Sequence, residues 1–291
     1  MPTVDEYIES INNLPVLPEI ARKIIALADS EDPDINEISE LIQKDPAITV
    51  KILKLINSGY YTLRKEVISV RQAVILLGLQ QVRNLVVTMV TVNHFTEKPN
   101  ARIKLLDFWN HSLGVATIAQ SLGERFGYRN TGDIYLCALL HDIGKIIIQS
   151  YYPLDLLRII RVIDRESVPM FEAEKQVLGF SHADIGACLT KLWMFPLVIQ
   201  DAILNHHDCS KSEDPLFCAI LEFADMVTKS RLYAVYGDQH TDFVIEDHRS
   251  WQVICRELSQ KGEDVDLVRL LLEMDDEIDR ARDLVKQARE P

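Results

Sequence analysis

The feature that most constrains this chain is the recurrence of helix-start signals, each followed by apolar residues spaced three and four apart. Asp34-Ile35-Asn36-Glu37 sets an acidic cap three residues ahead of a glutamate, and Ser69-Val70-Arg71-Gln72 repeats the device with serine and glutamine. Asp45-Pro46 and Asp214-Pro215 join a cap to a proline, whose missing N–H is no loss in a first turn. Buried faces follow: Ile48, Ile52, Leu55 and Ile56 after the first of these prolines, and Leu216, Ala219, Ile220, Phe223 and Val227 after the second. Gly78, Gly127 and Gly179 stand where such runs stop. No stretch alternates apolar and polar residues as a half-buried strand would. The expected fold class is all-α. Tyr236-Gly237-Asp238 reads as a turn, 240–262 resists assignment, and 264–289 predicts a charged, amphipathic surface helix.

With 291 residues the chain can bury a large core. Its net charge of −13 argues against a nucleic-acid surface, which needs concentrated Lys and Arg. The start, Met1-Pro2-Thr3-Val4-Asp5-Glu6, lacks a signal-peptide pattern, and no run reaches the ~20 apolar residues that span a bilayer, so no membrane partner is expected. Five scattered cysteines without a Cys-x-x-Cys pair suit a reducing cytoplasm.

Chemistry concentrates at Cys137-Ala138-Leu139-Leu140-His141-Asp142-Ile143-Gly144-Lys145. Helical spacing puts His141 one turn beyond Cys137 and Asp142 one turn beyond Ala138, over small side chains. A left-handed Gly144 would end the helix there, placing the doublet in its electronegative last turn. Further metal-ligand types fall on other predicted helices: His111 early in one, His182 opening another, His206-His207 ending a third. Asp225 lies inside an apolar run, where a buried carboxylate needs a partner or a metal. His94, His240 and His248 stand outside this set. Taken singly, each residue is explained by capping or a satisfied core. Together, imidazole and carboxylate suit one or two divalent ions such as Fe, Mn or Zn.

The order His111, His141-Asp142, Asp225 resembles the pattern of the HD superfamily of metal-dependent phosphohydrolases. Leu14-Pro15-Val16-Leu17-Pro18, Asp45-Pro46-Ala47, Asn57-Ser58-Gly59 and Leu77-Gly78-Leu79 resemble one branch, the HDOD (HD-related output) domain of bacterial signalling proteins. Ser181-His182-Ala183-Asp184-Ile185-Gly186 and Leu192-Trp193-Met194-Phe195-Pro196 fit the same branch, over about residues 10–235.

That resemblance implies an N-terminal helical subdomain over 1–98, an HD-like core over 99–235 and a C-terminal helical extension over 236–291. Glu97-Lys98-Pro99-Asn100 is the first junction. It also implies metal roles for His111, His141, Asp142 and Asp225. His182, His206 and His207 match the extra ligands of HD-GYP phosphodiesterases, which hydrolyse cyclic di-GMP. Lys145 matches a lysine that contacts a substrate phosphate in HD enzymes. The chain departs from those enzymes after His206-His207, where Asp208-Cys209-Ser210-Lys211 replaces any Gly-Tyr-Pro. The expectation is a regulatory, metal-binding, non-catalytic signalling module with protein partners. Its alternatives are a metal-dependent phosphohydrolase acting on nucleotides or cyclic dinucleotides, and a sensor that binds a phosphorylated small molecule without turning it over.

Overall fold

A computed structural model of the chain describes residues 3–11, 14–28, 30, 32–57, 66–96, 98–99, 101–128, 130–231, 244–260 and 265–275. Among these every regular element is helical, so the all-α expectation holds. The expected turn at Tyr236-Gly237-Asp238 lies outside the described residues, as does the end of the expected last helix beyond 275; residues 267–275 are helical.

The first helix, α1 (Val4–Glu9), is closed by a capping box between Thr3 and Glu6. Five helices then form one compact unit within Pro15–Thr96: α2 (Glu19–Ala28), α3 (Ile35–Gln43), α4 (Pro46–Asn57), α5 (Val70–Leu77) and α6 (Leu79–His94). Their starts are those marked in the sequence. Asp34 accepts from the Asn36 N–H, Asp45 from the Ala47 and Ile48 N–H groups, and Ser69 from the Gln72 N–H. Gly78, at φ 86°, separates α5 from α6 in a conformation that side-chain-bearing residues avoid.

The second unit joins α1 to the chain beyond Glu97. It contains α7 (Leu105–Arg125), α8 (Thr131–Leu140), α9 (Ile143–Tyr151), α10 (Pro153–Glu166), α11 (Met170–Leu178), α12 (His182–Leu192), α13 (Leu197–Asn205), α14 (Pro215–Ser230) and α15 (Arg249–Gln260). Helix α1, counted by sequence with the N-terminal segment, packs here: Tyr7 stacks on Tyr152 with ring centroids 3.7 Å apart and meets Phe180 edge-on.

Two kinds of helix build this unit. Helix α10 buries one stripe, Leu156, Ile159, Ile160 and Ile163, and leaves the rest to water. Helices α7, α8 and α14 are buried nearly all round, α8 from Gly132 to Leu140 and α14 from Phe217 to Thr228. Those three pack on one another and form the centre of the unit. Polar residues on them are therefore carried into the interior. The segment 240–262, unassigned by sequence, supplies α15, which lies against α14 with Trp251 stacked on Phe223.

Among the described residues no helix is long and apolar enough to cross a membrane.

Candidate metal centre

All seven ligand-type residues singled out in the sequence come together in the second unit. His111 sits inside α7, His141-Asp142 between α8 and α9, His182 at the start of α12, His206-His207 just past α13, and Asp225 inside α14. Asp142 is the hub. Its Oδ2 lies 3.4 Å from His141 Nε2 and 3.7 Å from His111 Nε2, while its Oδ1 lies 3.0 Å from His182 Nε2 and 3.7 Å from His206 Nε2. Asp225 Oδ1 stands 3.1 Å from His111 Nε2 and 3.7 Å from His141 Nε2, and His207 Nε2 stands 2.9 Å from His182 Nε2. Two groups result, His111–His141–Asp142 and His182–His206–His207, each able to hold an ion.

Hydrogen bonding at the far side of each ring decides what the near side can do. His141 Nδ1 donates to the Ala138 carbonyl at 2.7 Å and His206 Nδ1 to that of Ile203 at 2.7 Å. His182 Nδ1 donates to Glu174 Oε2 at 2.6 Å. With one proton on Nδ1, such a ring turns Nε2 inward, where it offers a lone pair to a metal or, as at His141 without one, carries a second proton. His141 Nε2, His206 Nε2, Asp142 Oδ1, Asp225 Oδ1 and both ring nitrogens of His111 are buried without a well-aligned hydrogen bond. Buried lone pairs facing one another are costly unless a proton or a metal cation sits among them. Imidazole and carboxylate donors converging in this way fit a divalent transition ion.

Cations of the chain already balance the two carboxylates. Lys145 Nζ is 2.8 Å from Asp142 Oδ2, both fully buried, and Lys229 Nζ is 2.6 Å from Asp225 Oδ2. Burial alone would push the Asp142 carboxyl up, but Lys145 and then His141 hold it well below the usual carboxylate range. At Asp225 burial is likewise overcome, chiefly by Lys229. His141 is held up at about 9 because Asp142 and Asp225 outweigh its burial. His206 is pushed down to about 4, chiefly by burial, against an opposing hydrogen bond to Asp142 and with help from His141 and His182.

Three features differ from the sequence reading or escaped it. Gly144 does not end a helix in the left-handed region; it is the second residue of α9, so the doublet links two consecutive helices rather than closing one. Glycine is needed there for close approach, since a Cβ would lie 2.1 Å from the His182 carbonyl oxygen. Lys145 is fully buried and paired with Asp142, a partnership the sequence reading did not identify. Glu174 is also fully buried and accepts from both the His182 N–H and Nδ1–H. It shares a face with Met170, Ala173 and Leu178, so a glutamate on the apolar stripe of α11 is the signal that would have found it.

The family profile described as HDOD domain matches residues 14–209. The chain belongs to the HDOD domain family. A crystal structure of an HDOD domain protein of unknown function from Geobacter sulfurreducens is 30% identical, with TM-score 0.84, and the match covers 98% of this chain and 96% of that one. A Shewanella amazonensis SB2B structure, provisionally named a phosphohydrolase, is 24% identical with TM-score 0.76 over 98% of this chain and 97% of its own, a likeness of fold. Among curated sequences, an uncharacterized protein of Treponema pallidum (strain Nichols) is 26% identical over 225 residues, 76% of this chain. The HDOD chain thus spans 43% of the length of that relative.

Proposed function

We propose that this HDOD chain is a metal-binding regulatory module of signal transduction that does not turn over a phosphorylated substrate. His111, His141, Asp142 and Asp225 would hold one ion. His182, His206 and His207 would hold a second, with Asp142 facing both groups. A bound ion would supply Lewis-acid character and strong electrostatic order at the centre of the unit. The observation that carries the non-catalytic part is Lys145. A lysine that is fully buried and bonded to Asp142 at 2.8 Å is committed to the protein's own carboxylate, and His111, His141, Asp142 and His182 around it are equally inaccessible. Its output would then pass through a protein partner or a bound phosphorylated small molecule.

A second reading, a metal-dependent phosphohydrolase acting on a nucleotide or cyclic dinucleotide, is favoured by the pairing of two three-residue groups around one aspartate, which suits a two-ion site.

One preparation separates the two. The chain is purified without chelators, its metal content measured per chain, and its hydrolysis of cyclic dinucleotides and nucleotides assayed with Mn or Fe. The regulatory reading expects bound metal and no turnover above a His141→Ala, Asp142→Ala control. Turnover abolished in that control would establish the hydrolase instead, and a metal-free wild type would end both.

A further inference from the structure

We propose that Arg249, at the start of α15, is a positioning residue for the His206-His207 end of the metal centre. The proposal rests on the metal reading above for its metal-binding consequence alone.

Arg249 bridges two carboxylates on different elements, both close in sequence to site residues. Its Nη1 pairs with Asp208 Oδ1, the residue after His207, and its Nε is 3.7 Å from Glu222 Oε1. Glu222 lies one helical turn before Asp225 on α14 and is buried. The other oxygen of Glu222 accepts the Cys209 N–H at 3.0 Å, so one buried carboxylate links α14 to the turn that follows the two histidines. His248 Nε2 approaches Glu222 Oε1 at 3.8 Å, and the Trp251–Phe223 stack, 5.3 Å between centroids, fixes α15 against α14.

An exposed ion pair ordinarily contributes little, and the Lys211–Asp208 pair at 3.0 Å is of that kind. Arg249 differs because its planar fork can serve two acceptors at once and because Glu222 is shielded from water. Without Arg249 the buried Glu222 charge loses its nearest cation and keeps the Cys209 N–H and thiol and, at 3.8 Å, His248. An under-compensated buried carboxylate rearranges toward water, and that frees the 208–211 turn. His207 would move with that turn, leaving its stack on Phe171 and its place 2.9 Å from His182. His111, His141-Asp142 and Asp225 are carried by α7, α8, α9 and α14; α14 touches the turn but is held in place chiefly by α7 and α15. The effect therefore falls mainly on the His206-His207 half of the site.

The full chain tests this through two readouts. One is Zn2+ titration calorimetry of the metal-stripped protein. The other is iodoacetamide alkylation of Cys209, a fully buried thiol whose exposure reports on the turn without any metal. Arg249→Ala is expected to raise Cys209 alkylation and to weaken one Zn2+ event by about ten-fold or more while the other stays unchanged. Arg249→Lys, which can reach one carboxylate and not both, restores part of each. Asp208→Asn breaks the same link without stranding a buried charge and should act in the same direction if Arg249→Ala does not fold. A wild type that takes up no Zn2+, or one ion only, counts against the two-ion reading, and Cys209 alkylation then decides the clamp. Unchanged alkylation in both variants overturns the proposal, as does an equal loss of both Zn2+ events.

Discussion

Gly144 and the carbonyl of His182 lie so close that a methyl group on residue 144 would stand 2.1 Å from the oxygen and 2.8 Å from its carbon. Backbone meets backbone, so no side chain can swing aside. The contact sets the separation of α9 from α12 and with it the 3.0 Å approach of Asp142 to His182.

Gly144→Ala should therefore be destabilising by roughly 1–3 kcal/mol or more, the usual range for overpacking a filled interior. Urea unfolding of the metal-free protein measures it, and stability equal to wild type would show that α9 and α12 can part freely.

Lys145→Met removes the partner of a buried carboxylate while keeping bulk. Breaking a buried pair this way costs about 3–5 kcal/mol. The loss should be large in chelator and smaller with Mn or Zn present, because an ion can replace the missing charge at Asp142. A deficit that metal leaves untouched would mean that Asp142 does not face the ion.

Glu174→Gln keeps shape and an acceptor for His182 but removes the charge that most strongly opposes the effect of burial on that imidazole. Metal affinity should fall about 10–100-fold, as for other outer carboxylates behind a histidine ligand, with the fold intact. The His182 pKa, raised in the wild type, should move down in the variant, which a histidine NMR titration in chelator reads directly.

His206 supplies a pH dependence for the metal-free protein. Its folded pKa of about 4 lies below the ordinary 6.5, so the unfolded chain binds the proton first. Stability from keeping this ring neutral is full above about pH 6.5 and declines as pH falls toward 4. Chemical unfolding between pH 7 and 4 should show that decline, and His206→Gln should make it shallower, the remainder coming from His207, which burial also pushes down.

Much of this protein was readable along the chain. Helix starts at Asp34, Asp45, Ser69 and Asp214 follow from local hydrogen bonding between a cap and the next turn, which needs no distant contact. The residues at 111, 141, 142, 182, 206, 207 and 225 stand out in the sequence only as a set, since each alone has a bland use, and the structure brings that set together. What a lone sequence could not tell is which neighbour each group would meet. Gly144 looked like a helix end because glycine fits there too; its real requirement comes from His182, 38 residues later in a helix packed against α9. Lys145 is buried against Asp142, a pairing that offsets the cost of taking both charges out of water. Glu174 and Arg249 gained their places only when α11 and α15 folded back onto the histidines and α14. Local chemistry along the chain determined the helices and the donor set; the tertiary packing decided how those donors are oriented and neutralised, since Coulomb and hydrogen-bond energies depend on distances that only packing sets.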